Sequence, residues 1–322
     1  MSKLTIYEAR KFGFQILSQA VTQVGPVTST PRLDSDCILA ALLNADKTFL
    51  LTHGELFLSE QQEKDFKKLI HQRTSGLSVA YITGYKEFYG RDFFVTPSVL
   101  IPKPDTEILV EKSFEKIITL LDKKESLVIY DVCTGSGCIA ISLYKELENK
   151  KLIHRCKILC SDISPEALKI AEYNSKKHGC SMEFLCGDLL EPFRSKPEPD
   201  VIISNPPYVP LNVCNELLAD GRSEPILALN GDCEGSSDGT GLIKKMIGPC
   251  YKLLHHDGFI FLETGEYNSD TVKEYLLEQN KSKTSFSEYS LSDDKKSTKA
   301  IILSLLPKHE AFLQGHYKLE CP

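Results

Sequence analysis

The run Leu127-Val128-Ile129-Tyr130-Asp131-Val132 passes directly into Cys133-Thr134-Gly135-Ser136-Gly137, and the pattern Cys138-Ile139-Ala140-Ile141-Ser142-Leu143 follows without a spacer. A short apolar run, a glycine-rich turn and a helical pattern in that order predict strand, tight turn and helix. Further strand runs follow. Lys157-Ile158-Leu159-Cys160-Ser161 ends in Asp162, and Met182-Glu183-Phe184-Leu185-Cys186-Gly187 ends in Asp188-Leu189. Val201-Ile202-Ile203-Ser204 ends in Asn205-Pro206-Pro207-Tyr208. Strands alternating with helical stretches predict an α/β fold.

The turn at 133–137 has two readings. Glycines there let backbone N–H groups and a helix N-terminus approach the charged tail of a nucleotide-like ligand, or they simply make an ordinary tight βα turn. Asp162, about 25 residues on, either accepts from ribose hydroxyls or caps the next helix. Ser164 is the better cap, with Pro165 in the favoured first position, which leaves Asp162 for a ligand. Asp188 and Leu189 can face an adenine amine and ring, or form a plain polar strand end. The turn lacks the Gly-x-Gly-x-x-Gly order of dinucleotide sites and the Gly-Lys-Ser/Thr ending of a phosphate loop, so neither NAD nor ATP is favoured. Acidic residues closing three strands, beside Asn-Pro-Pro-Tyr, suit a cationic adenosyl sulfonium.

Asn205 to Tyr208 reads as an acceptor for a planar NH2 group, with a rigid strand-to-loop turn as the alternative. The Asn205 side-chain carbonyl can take one N–H and the backbone carbonyl at Pro206 the other. Two prolines stiffen the loop and remove donors. Tyr208 offers a flat face for a planar substrate. An amide nitrogen is a poor nucleophile, so a site that accepts both of its N–H groups would aim it and stabilise positive charge growing on it.

On these residues the chain resembles the class I S-adenosylmethionine-dependent methyltransferases, and within them the HemK-type glutamine methyltransferases that modify peptide chain release factors. Glu87-Phe88-Tyr89-Gly90-Arg91-Asp92-Phe93-Phe94-Val95 and Val99-Leu100-Ile101-Pro102-Lys103-Pro104-Asp105-Thr106-Glu107 resemble that family's linker and its Ile-Pro-Arg-Pro-Asp-Thr-Glu signature. The stretch 224–241, with Leu227-Ala228-Leu229 before a Gly-Asp-rich loop, does so too. The resemblance runs from about residue 5 to about residue 305.

It implies a mixed Rossmann-like sheet of seven strands, the last antiparallel, with an N-terminal helical bundle and a β-hairpin linker. It also implies S-adenosylmethionine as cofactor, S-adenosylhomocysteine as product, and a release factor as protein partner. Cys133, Thr134, Gly135, Ser136, Gly137, Asp162, Asp188, Leu189 and Asn205 would then hold the cofactor. Asn205, Pro206, Pro207 and Tyr208 would bind the glutamine, with Asn205, Pro206 and Tyr208 catalytic. Two residues depart from the pattern. Cys133 stands where many methyltransferases have glycine, and a small Cys fits a site of negative φ. Lys103 keeps the charge of the usual arginine and loses its bidentate fork.

The rest of the chain fits this layout. Residues 1–76 carry helical periodicity without strands, and in the resembled family such a bundle contacts the release factor. Leu4, Ala9, Phe12, Ile16 and Ala20 share one face; Leu33, Ile38, Leu39 and Leu42 make another, opened by Pro31; Gln61 to Arg73 makes a third. A hairpin linker is expected over 77–105, beginning at Tyr81-Ile82-Thr83-Gly84, and a methyltransferase domain over 106–306. Within that domain helices are expected at 241–254 and 271–278, and strands at 259–263, 285–289 and 300–305. Asp293-Asp294-Lys295-Lys296 reads as a solvated turn and 307–322 as a polar tail.

No apolar stretch approaches the roughly 20 residues of a membrane span, and the charged start is no signal peptide, so a cytoplasmic protein is expected; a monomer is expected as well. The eleven cysteines show no zinc-ligand spacing and read as reduced, buried small apolar residues; His255-His256 reads as a solvated loop pair, and no metal is expected. Three rival functions stand beside the release-factor reading. One is a ribosomal-protein glutamine methyltransferase, and another is a non-catalytic module that kept the fold. The third is an adenine amino-methyltransferase on nucleic acid, for which 38 basic against 44 acidic residues is unhelpful.

Overall fold

Thr5 opens the first helix by accepting from the Glu8 backbone N–H, while the Glu8 carboxylate accepts from the Thr5 N–H at 2.8 Å. This reciprocal capping box satisfies donors that the helix itself leaves unpaired. The structure is a computed structural model that describes residues 4–23, 25–219, 221, 223–265, 268–279, 284–290 and 299–305. The chain forms two units: residues 1–86, 94–101 and 212–225, and residues 87–93, 102–211 and 226–322. The linker expected over 77–105 is therefore shared between them, and 212–225, expected in the methyltransferase domain, belongs to the first unit.

In the first unit α1 (Ile6–Gln19) buries Ile6, Ala9, Gly13 and Leu17. Of the expected face Ala9 is buried, whereas Leu4, Phe12, Ile16 and Ala20 are half-buried beside the stripe. A pair of two-residue strands, β1 (Val21–Thr22) and β2 (Gly25–Pro26), follows where only helix was expected. Pro31 begins α2 (Pro31–Leu43), which stops at Asn44 in the left-handed region. Ile38 and Leu39 are buried there, while Leu33 is 47% exposed and outside the core. Asp46 caps α3 (Lys47–Thr52), and Ser59 caps α4 (Glu60–Thr74). The Arg10 guanidinium grips Asp36 with two 2.8 Å bonds, and Arg73 meets Asp34 at 2.9 Å.

Gly13 lets α1 approach α2 closely. A Cβ there would lie 2.2 Å from Ser35 Oγ and 3.0 Å from both Ser35 Cβ and Phe66 Cζ. Gly13→Ala is expected to destabilise the first unit by about 1 kcal/mol net, overpacking outweighing the better helix propensity. Urea unfolding checks this, and an unchanged midpoint would mean that Ser35 rotates clear.

The stretch Tyr81–Gly84 is not hairpin. Val79–Thr83 forms a short helix, α5, which Gly84 ends at φ 80°. An αL glycine just past the last turn is a favoured helix stop. The hairpin itself is β3 (Tyr85–Phe88) and β4 (Arg91–Phe94).

In the second unit α6 (Glu107–Leu121) precedes the strands. These are β5 (Leu127–Val132), β6 (Cys156–Asp162), β7 (Glu183–Cys186), β8 (Val201–Ser204), β9 (Phe259–Thr264), β10 (Thr284–Ser290) and β11 (Lys299–Leu305). Among the described residues they form one sheet in the order β10-β11-β9-β8-β5-β6-β7. β5, β6, β7, β8 and β9 pair in parallel, and β11 runs antiparallel to both β9 and β10. Between them in this unit run α7 (Cys138–Asn149), α8 (Pro165–Lys177), α10 (Ile226–Leu229), α11 (Gly241–Leu253) and α12 (Ser269–Gln279), while α9 (Leu211–Leu218), apart from Leu211, belongs to the first unit.

Side chains alternate between the faces of the sheet. Ile129, Ile158, Ile203 and Phe261 pack in one core with α6 and α7, while Tyr130, Leu159, Ile202 and Ile260 pack in the other with α11 and α12. Val132 pairs with Ser161 and with Ser204, so β5, β6 and β8 end together. That shared edge collects the predicted site residues of these three strands. No described helix is long and apolar enough to cross a membrane. The expected turn at 293–296 and the tail at 307–322 lie outside the described residues.

Candidate active site

The turn after β5 is braced from three sides. Thr134 N–H donates to the Ser161 carbonyl at 2.9 Å, Gly137 N–H to the Thr134 carbonyl at 2.8 Å, and Asn174 Nδ2 to the Ser136 carbonyl at 2.9 Å. Cys133 has φ 60°, Gly135 55° and Gly137 79°. The expectation of negative φ at Cys133 is therefore corrected: the residue occupies a left-handed position where glycine is unstrained, and the surrounding hydrogen bonds must hold it there. The two glycines differ in purpose. A Cβ at Gly137 would press on Ile141 and Ala171, whereas one at Gly135 would meet nothing within 4 Å. Gly137 packs the turn, and Gly135 faces open space.

Asp162 is less free than its sequence context implies. Ser164 does cap α8, accepting from Ala167 N–H at 3.2 Å. Yet Asp162 Oδ2 accepts from Gly135 N–H and Oδ1 from Ser164 N–H, both at 2.9 Å. Each oxygen keeps a further lone pair, so the carboxylate can brace the turn and still accept from a ligand hydroxyl. Burial raises its pKa while these backbone bonds oppose the shift. Asp131 lies inward, 1% exposed, and takes the Thr134 hydroxyl at 2.6 Å; burial pushes its carboxyl up to about 7. Asp188, expected to be available to an adenine amine, is paired through Oδ2 with Lys245 of α11 at 2.6 Å. Leu189 follows at φ 48°, its carbonyl held by Ser161 Oγ at 3.0 Å.

Asn205 to Tyr208 leave the end of β8 in a loop tied down at both ends. Asn205 Nδ2 donates to Thr106 Oγ1 at 3.1 Å, and Tyr208 hydroxyl donates to Glu263 Oε1 at 3.1 Å. Asn268 Nδ2 donates to the Tyr208 carbonyl at 2.7 Å. Val209 N–H bonds the Leu229 carbonyl and Gly231 N–H the Val209 carbonyl, both at 2.9 Å. Asp232 then organises the Gly-Asp-rich loop, accepting from Leu211 N–H at 2.9 Å and Gly239 N–H at 2.7 Å. With Nδ2 bonded to Thr106, the Asn205 carbonyl oxygen is the atom of that amide able to accept a further hydrogen bond.

Thr106, Glu263, Asn268 and Asp232 escaped the sequence reading. Thr106 was seen as part of a motif and Glu263 as the close of an apolar strand. A carboxylate ending a run as apolar as Phe259-Ile260-Phe261-Leu262 is the signal that could have marked Glu263, because burying it needs partners. Asn268 carries no such signal. His255, His256 and Asp257 bring ligand atoms within 4.8 Å of one another, but the Lys124 ammonium lies 3.2 Å from His255 Nδ1 and opposes a cation there.

The family model described as PrmC N-terminal domain matches residues 9–84, and that described as Methyltransferase small domain matches residues 110–222. A protein of Koribacter versatilis named release factor glutamine methyltransferase is 36% identical over 251 residues, covering 77% of this chain and 84% of that protein. One of the same name from Moorella thermoacetica is 36% identical over 263 residues, covering 81% and 88%. Another, from Bacillus subtilis, is 32% identical over 275 residues, covering 85% and 89%.

Proposed function

Because the chain belongs to the release factor glutamine methyltransferase family, we propose that it methylates the side-chain amide nitrogen of the glutamine in the Gly-Gly-Gln loop of a peptide chain release factor. The observation that carries the reading is Asn205, fixed at the end of β8 by Thr106 with its carbonyl oxygen left to accept. S-adenosylmethionine, when bound, supplies an electrophilic sulfonium methyl group. The open Gly135, the turn from Cys133 to Gly137, Asp162, Asp188 and Leu189 would hold it.

Asn205 Oδ1 and the Pro206 carbonyl accept the two substrate N–H bonds, which aims the nitrogen and stabilises charge growing on it. Pro207 keeps the loop stiff, and Tyr208, anchored on Glu263, walls the site. No strong base is needed before transfer. The helical N-terminal unit is the proposed recognition element for the release factor, and the enzyme acts in the cytoplasm as a monomer.

Asp162→Ala is expected to weaken S-adenosylmethionine binding by about 10- to 100-fold, the worth of a charged hydrogen bond, and to lower thermal stability because two backbone N–H groups lose their acceptor. Calorimetric titration beside a thermal melt checks both. The function itself is tested by transfer of a radiolabelled methyl group to purified release factor, native against a variant without the Gly-Gly-Gln glutamine. Label in the native factor alone is the expected result; label in neither would overturn the reading and turn attention to ribosomal protein and RNA.

A further inference from the structure

Ser204 pairs with Leu262 across β8 and β9, so the next residues along, Asn205 and Glu263, come abreast. Glu263 is 1% exposed, with Oε1 taking the Tyr208 hydroxyl and Oε2 left without a partner. Thr106 and Asn205 also turn polar groups toward this carboxyl and favour its charged form. An ionised carboxylate accepts hydrogen bonds and cannot donate them. Buried beside three polar side chains, it draws their donors inward, and the Asn205 NH2 group does point to Thr106.

Resting on the glutamine methylation proposed above, we infer that Glu263 is a positioning residue that decides which end of the Asn205 amide meets the substrate, with Thr106 as the link between them. While Glu263 is charged, the Thr106 hydroxyl proton and the Asn205 NH2 group are directed inward and Asn205 Oδ1 faces outward. If the charge is removed, Thr106 can donate to Asn205 Oδ1, and the amide turns over. Its NH2 group would then confront the NH2 of the substrate, two donors without an acceptor in a dry site, which is costly.

The arrangement makes the rate depend on pH. Burial pushes the Glu263 carboxyl up to about 7; Asp105 acts in the same direction, and Thr106, Tyr208 and Asn205 oppose it. Cys138, at the start of α7, also feels this charge. The orienting charge is present above that pKa and lost as pH falls through it, so transfer slows on the acid side.

The test compares wild type, Glu263→Gln, Thr106→Val and Thr106→Ser in single-turnover methyl transfer to release factor from mildly acidic to mildly basic pH, with S-adenosylmethionine affinity measured by calorimetry. Wild type is expected to speed up with pH and level off. Glu263→Gln should slow transfer by about 10- to 100-fold, the scale of a small misalignment, lose the acid-side rise, and keep cofactor affinity and the KM for release factor within a few fold. Thr106→Val should slow transfer likewise, and Thr106→Ser, which restores the hydroxyl, should recover it. A Glu263→Gln enzyme with the wild-type rate and pH profile would overturn the inference. If that variant does not fold, equal rates for Thr, Val and Ser at position 106 would do the same. Failure of the wild type to label the release factor would instead count against the proposed function.

Discussion

Asn205→Ala is expected to slow glutamine methylation by about 10²- to 10³-fold, the loss seen when one preorganised hydrogen-bonding group is taken from the developing charge in a transition state. The argument is geometric. Asn205 Nδ2 is held by Thr106, so its carbonyl oxygen has one orientation. The alanine enzyme keeps the Pro206 carbonyl, so the substrate amide would retain one acceptor and swing about it. S-adenosylmethionine affinity should stay within a few fold, because the turn after β5 and Asp162 are braced by their own backbone bonds. Single-turnover transfer and calorimetric titration on the same preparation separate the two effects. Unchanged turnover would show that the loop is only a rigid turn.

Gly231→Ala should be nearly as damaging, although the residue touches no substrate. A Cβ at this position would fall 2.1 Å from the Gly239 carbonyl oxygen, 2.6 Å from Tyr208 Cα and 2.7 Å from the Pro207 carbonyl oxygen. All three neighbours are backbone, so no side chain can rotate away. Overpacking of this kind costs about 1–3 kcal/mol. The strain must move either the Gly-Asp-rich loop or the Asn-Pro-Pro-Tyr loop itself. A displacement of about 1 Å in a positioning loop can cost on the order of 100-fold in rate, so transfer should fall by at least about tenfold with cofactor affinity nearly unchanged. A Gly231→Ala enzyme with wild-type rate and melting temperature would show that the two loops do not depend on their close approach.

Local chemistry explains why much of the second unit could be read in advance. β5, α7, β6 and β8 each join an apolar run to an unambiguous punctuation mark, whether glycine, Ser-Pro or Asn-Pro-Pro, and such signals act within a few residues. Ser164 caps α8 for that reason. The same logic failed where a single residue serves two neighbours. Asp162 was assigned to a ligand once Ser164 had taken the cap, but it also holds Gly135 N–H from another strand's turn. Cys133 was assigned a negative φ on residue type alone, and hydrogen bonds from around the turn place it at 60°. In the first unit the expected α1 face held for Ala9 but missed Ile6, Gly13 and Leu17, because which residues are buried depends on where α2 and α4 lie.

The sequence by itself determined the alternation of strands and helices in the second unit and the glycine-rich turn after β5, since the dihedral preferences that set them belong to the residues that carry them. Only the tertiary structure decided that Thr106, Asn205, Tyr208 and Glu263, spread over more than 150 positions of the chain, come together around one buried carboxyl. That cluster exists because β8 and β9 pair in parallel with Ser204 opposite Leu262. Such a register is set by packing on both faces of the sheet, and no short stretch of sequence contains it.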